Sequence, residues 1–163
     1  MPDEIDALVP AWTAAGFTPA QIATLEFSKR VARLHTVIEG ALRTELATFD
    51  LTYAEFDVLA ALYRAGDPYR LRPSELSRAL FLTSGGTSNV LQRLTAAGHL
   101  ERIADPADGR SRWVRLTPKG RELAVKSLDA ANRVHESVTS GIPEETIRQA
   151  ADLLRDVLAG MRR

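Results

Sequence analysis

Ser84, Thr87, Ser88, Asn89, Gln92 and Arg93 fall within one short stretch of the chain. Asn and Gln form paired hydrogen bonds with adenine and Arg with guanine, while Ser and Thr hydroxyls mostly hold phosphates. Further on, Asp108 and Arg110 form an Asp-x-Arg pair, and Arg112 follows. A carboxylate two residues from an arginine can orient its guanidinium, and an oriented guanidinium suits a narrow, electronegative minor groove. Arg112 and Arg115, with Arg102 before the pair, are candidate phosphate clamps. Charge follows the same map. The formal net charge is zero, yet Pro68 to Gly120 holds nine Lys or Arg against four Asp or Glu, leaving acidic flanks. Polyanion binding needs local rather than global positive charge.

Other chemistries find little support. Cysteine is absent, which excludes disulfides, thiolate nucleophiles and cysteine zinc sites. His35, His99 and His135 lie far apart without metal-ligand spacing. No glycine-rich phosphate loop or nucleophile elbow occurs, since Gly85-Gly86 alone is too little. The expectation is a protein that is not an enzyme and carries no metal or cofactor. With 45% apolar and 26% charged residues, the composition is that of a soluble globular chain. No apolar run reaches membrane-spanning length, and Met1-Pro2-Asp3-Glu4 lacks the basic flank of a secretion signal. A cytoplasmic location is expected.

The polar stretch needs elements to aim it. Asp3 to Phe17 reads as a short amphipathic helix ended by Gly16, and Thr18-Pro19 as the cap of a long second helix whose apolar residues run from Ile22 to Phe49. Thr52 and Glu55 form a capping box before Phe56, Val58, Leu59 and Leu62. A short helix starts at Pro73. Another, capped by Thr83 or Ser84 and stopped by Gly98, turns Thr87, Leu91 and Leu94 inward and leaves Ser84, Ser88, Asn89, Gln92 and Arg93 outward or sideways. Two extended runs, 99–103 and 112–116, flank a turn and make a hairpin. Thr117-Pro118 opens a helix toward Val138, and Pro143 a last one with a seam of Ile147, Ala150, Leu154, Val157 and Met161, widened by Leu158. The fold class predicted is mainly α with a small β-hairpin wing: a winged helix-turn-helix on a helical dimerisation scaffold. Residues 1–50 and 121–163 are assigned to the scaffold, and 51–120 to the nucleic-acid-binding module.

At this point the chain resembles the MarR family of winged-helix transcription regulators over residues 20–163. The motifs that carry the likeness are Leu51-Thr52-Tyr53-Ala54-Glu55-Phe56-Asp57-Val58-Leu59, Ser74-Glu75-Leu76, Leu91-Gln92-Arg93-Leu94 with Ala97-Gly98-His99-Leu100, Asp105 through Ser111, and Leu116-Thr117-Pro118-Lys119-Gly120. The resemblance implies a homodimer, a pseudo-palindromic double-stranded operator, and a small-molecule effector that loosens DNA binding. Trp12 and the Pro68 to Leu76 string are similar to the PecS-type, urate-responsive branch. That branch implies an arginine just after the recognition-helix asparagine, where this chain has Val90, so urate is not assigned.

An effector that alters half-site spacing would lie between scaffold and reading module. Trp12, Phe27, Arg30, His35, Tyr53, Asp57 and Arg78 come from the segments bordering that cleft. Asp57 is the most suggestive, because a carboxylate among Phe56, Val58 and Leu59 needs a partner if buried. The expected function is a homodimeric regulator, a repressor released by a small aromatic effector. The alternative is a winged-helix protein-interaction module without DNA binding, its basic residues merely solubilising.

Overall fold

In the computed structural model, residues 2–80, 84–105 and 108–161 are described, without the side chains of 84, 105 and 108–111. A 3-10 turn at Asp6–Leu8 leads into α1 (Val9–Ala14), and α2 follows over Pro19–Ala47. Thr18 and Gln21 cap α2 reciprocally, and Pro19 supplies a first-turn residue whose missing N–H costs nothing there. The chain reverses through Asp50 at φ 56° into α3 (Tyr53–Arg64), where Thr52 and Glu55 repeat the capping box. Then come β1 (Arg70–Leu71), α4 (Pro73–Ala79), α5 (Ser84–Ala96), β2 (Leu100–Asp105), β3 (Asp108–Leu116), α6 (Pro118–Val138) and α7 (Glu144–Met161). Among the described residues no helix is long and apolar enough to cross a membrane.

The architecture is the expected one, mainly helical with a small antiparallel sheet, but the sheet has three strands in the order β1-β3-β2. The hairpin is longer than its periodicity suggested, and β1 was not foreseen. Two residues are too few to show alternation; Arg70 and Leu71 become a strand only by pairing with Arg115 and Val114. One apolar cluster unites Leu42 and Leu46 of α2, Val58, Leu59 and Leu62 of α3, Leu76 of α4, Leu91 and Leu94 of α5, Leu100, Val114 and Leu116 of the sheet, and Ala124 and Ala131 of α6. Each buried leucine contributes about 1.5–3 kcal/mol. The three inward residues of α5, Thr87, Leu91 and Leu94, therefore suffice to fix which face it turns outward.

Two glycines set the joint between α5 and the sheet. Gly98, at φ 75°, ends α5 in the left-handed region, and Thr117 Oγ1 then donates to its carbonyl at 2.8 Å. Gly120, in the first turn of α6, lies so close to the His99 carbonyl that a Cβ would collide with it. α7 differs from every helix of the core: none of its residues is buried.

Candidate nucleic-acid interface

The period of α5 divides its residues between core and solvent. Ser88, Asn89, Gln92 and Arg93 are exposed together. Ser84 opens the helix, with its side chain outside the described residues, as is the capping candidate Thr83. Thr87 corrects the expectation of a groove contact: it is 2% exposed, and its hydroxyl shares a 2.9 Å hydrogen bond with Ser77 of α4. One helical turn before Leu91, it points into the helix pair and joins the two helices.

The wing adds a second edge. Cross-strand partners share a face, so the pairs Arg102↔Val114 and Ala104↔Arg112 put both arginines on the face of buried Val114. That face packs into the cluster containing Leu91 and Leu94. Arg102 and Arg112 are exposed where it runs out beyond the core, on the α5 side of the sheet. Arg115 is on the other face, with its guanidinium held by Glu101 (Nη2–Oε1 2.9 Å), and so does not join this edge. That outer face also holds Trp113 between Arg70 and Arg72, whose guanidinium carbons lie 4.7 and 4.8 Å from the ring centre. Asp108 and Arg110 belong to the start of β3, and their side chains lie outside the described residues.

Behind the exposed face of α5 lies the capping glutamate of α3. Glu55 is 4% exposed. Its Oε2 accepts from Thr52 N at 2.9 Å and Oγ1 at 2.7 Å, and its Oε1 lies 3.2 Å from Arg93 Nε. His99 lines the same recess. Burial pushes its pKa down, Lys119 adds to this and Glu55 opposes it, and Nδ1 has no hydrogen-bond partner among the described residues. The spacing Thr52-x-x-Glu55 signals a cap, but nothing local in the sequence places Arg93 beside it.

The effector candidates separate into two groups. Arg30 is engaged by Asp3 (2.8 Å), Asp6 (2.8 Å) and Glu26 (2.9 Å), so it fastens the N-terminal segment to α2 rather than offering a free cation. The hydrogen bond from Arg30 holds the Asp3 carboxyl at about 2. A cavity of about 520 Å³ beside Arg30 is lined by Ile5, Leu34, Val37 and Val138, and by none of the other effector candidates. Tyr53 and Asp57 form the second, at the start of α3. Asp57 is partly buried, and burial raises its carboxyl against the pull of Arg64; Tyr53 is raised by burial and by the charges of Asp57 and Glu39. His35 approaches Glu39 at 3.1 Å. Trp12 and Phe27 are partly covered on α1 and α2, and Arg78 is exposed on α4. Among the described residues no group of His, Cys, Asp and Glu has metal-site geometry.

The fold that carries this helix face and wing is shared with known proteins. The sequence pattern of the MarR family matches residues 49–111. The HTH-type transcriptional regulator PecS of Dickeya dadantii is 31% identical over 115 residues, 71% of this chain and 69% of that protein. The chain belongs to the MarR family. As such it is a MarR-family transcriptional regulator with a DNA-binding winged helix. Bordetella bronchiseptica BpsR, whose DNA binding is regulated by 6-hydroxynicotinic acid, is 26% identical, with a TM-score of 0.71 over 80% of this chain and 91% of BpsR. A mutant of Escherichia coli MarR complexed with operator DNA has the same fold, with a TM-score of 0.75 over 83% of this chain and 96% of that one at 24% identity.

Proposed function

We propose that the protein is a homodimeric repressor that reads a pseudo-palindromic duplex through α5 and the wing and is released by a small aromatic effector. The observation carrying this reading is the joint exposure of Ser88, Asn89, Gln92 and Arg93 on one face of α5, with Arg102 and Arg112 beside it on the wing. The helix width suits a major groove, Asn and Gln suit adenine, and the wing arginines suit the adjoining backbone and minor groove. Ser84, at the start of α5, and Asp108 and Arg110, in β3, are assigned to the same role from their residue types and order in the chain.

Dimerisation is supported by α7, whose Ile147, Leu153, Val157, Leu158 and Met161 stay exposed, and by Val31, Leu34 and Val37, which leave an apolar stripe on α2. A stripe of this size needs a cover, and a second copy of the scaffold, 1–50 with 121–163, supplies it. The effector is assigned to the surroundings of Tyr53 and Asp57, with Phe56 as the aromatic neighbour of Tyr53; the likeness to BpsR supports a ring-bearing ligand. Asp57, held partly out of water with its pKa raised, favours a ligand that donates a hydrogen bond or carries positive charge.

The test is fluorescence anisotropy with inverted-repeat duplexes of roughly 20 base pairs, half-sites one helical turn apart, across a salt series. Each phosphate contact should add about 0.9 to the slope of log affinity against log salt. A dimer with no salt-dependent affinity for any duplex would leave the protein-interaction module as the reading.

A further inference from the structure

A buried carboxylate is retained only where its charge is compensated: one oxygen of Glu55 accepts from Thr52, and the other faces Arg93 as an ion pair. Capping needs just one of them. At the start of α2 an uncharged residue performs that task, since Gln21 Oε1 accepts from Thr18 N at 2.8 Å. The second oxygen and the negative charge of Glu55 therefore serve Arg93. The arginine is in the opposite condition, with a side chain 65% exposed on the face that carries Asn89 and Gln92. A long side chain in that position samples many rotamers unless something holds it. With Nε the nitrogen nearest Glu55, the Nη groups, whose N–H bonds can pair with guanine or phosphate, are left for another acceptor. His99 lines the same recess, where burial lowers its pKa and so disfavours a second positive charge beside Glu55.

We propose that Glu55 is a positioning residue for DNA recognition: it fixes the Arg93 guanidinium so that the free edge meets the duplex in one geometry. The inference rests on reading α5 as the groove helix. Its effect falls on selectivity rather than on general attraction. An arginine released from a carboxylate still attracts a polyanion, but it no longer prefers one arrangement of acceptors.

The experiment uses the full chain and two fluorescein-labelled duplexes of roughly 30 base pairs, wide enough for two half-sites. One is enriched by the wild-type protein from a randomised library, and the other is a scramble of it. Glu55→Gln keeps the cap and removes the charge. It is expected to lower the ratio of enriched to scrambled affinity about tenfold while scrambled affinity holds or rises, the scale of one paired base contact. In an Arg93→Ala background the same change should leave the ratio where Arg93→Ala put it. An equal loss in both backgrounds overturns the proposal, since Glu55 would then act without Arg93; so does an unchanged ratio in the single variant. Arg93→Lys gives a route that leaves the cap untouched, because an ammonium gripped by Glu55 has no second edge, and wild-type selectivity there also overturns it. Should the wild type itself bind both duplexes equally, the groove-helix reading fails first and the inference goes with it.

Discussion

α5 leaves a polar face uncovered, and α7 leaves an apolar one. α5 buries Thr87, Leu91 and Leu94 and exposes amide, hydroxyl and guanidinium groups. α7 buries nothing and exposes Leu153, Leu158 and Met161, with acids and arginines between them. A bare polar face on a helix already anchored by its apolar side is stable in water and free to meet a polar partner. A bare apolar face on a helix with no other anchorage is incomplete. One surface therefore points to a polyanion and the other to more protein, so a dimer formed through α7 would leave the polar residues of α5 uncovered.

The sharpest way to break this comparison is a charge on the α7 seam. Leu154→Glu should weaken dimerisation more than a hundredfold, because an unpaired carboxylate in an apolar interface costs about 3–5 kcal/mol. Sedimentation velocity reads the loss, and circular dichroism should keep most of the helical signal, since the core draws nothing from α7. A wild type that is a stable monomer at micromolar concentration would remove α7 from the argument.

On the α5 side the effects should be smaller and divisible. Asn89→Ala should weaken a selected duplex about tenfold or more, a base contact being worth about 1–3 kcal/mol, and should relax preference at one position. Arg112→Ala should weaken all duplexes alike and lower the salt slope by about one. If Arg112→Ala altered base preference and left the slope unchanged, the division between helix and wing would be wrong. Thr87→Val sharpens the contrast between the two faces of α5: loss of the Ser77 hydrogen bond should cost about 1 kcal/mol in urea unfolding, with the salt slope unchanged.

The parts of this molecule written in local pattern were legible in the sequence. Thr18-Pro19, Thr52 with Glu55, Thr117-Pro118 and Gly98 fixed helix ends, because caps and left-handed stops are properties of a few consecutive residues. The exposure of Ser88, Asn89, Gln92 and Arg93 followed from helical period alone. What was missed depends on contacts between distant segments. β1 exists through Arg115 and Val114, the Arg30 cluster through Asp3 and Asp6, and the Glu55 to Arg93 contact through the crossing of α3 and α5. Thr87 was read as both inward and groove-facing, and only packing against Ser77 separates those roles. The three phosphate-clamp arginines were indistinguishable by composition; strand register put Arg102 and Arg112 on one face and Arg115 on the other.

The smallest expected effect concerns the joint behind α5. The folded protein resists protonating His99, whose pKa is lowered from 6.5, first by burial and then by Lys119. The unfolded chain accepts that proton near the ordinary value. Below pH 6.5 the unfolded state therefore binds more protons, and stability falls as pH drops from 6.5 through the lowered folded value; above pH 6.5 both states are neutral and the contribution is flat. Urea midpoints measured from pH 8 down to 5 should decline on the acid side, and His99→Gln should flatten part of that decline. Because His99 abuts the α5 anchor and not α7, acid should reduce duplex affinity before it dissociates the dimer. A dimer that separates while the α5 surface still binds duplex, or a His99→Gln variant with an unchanged acid limb, would place the pH-sensitive joint elsewhere.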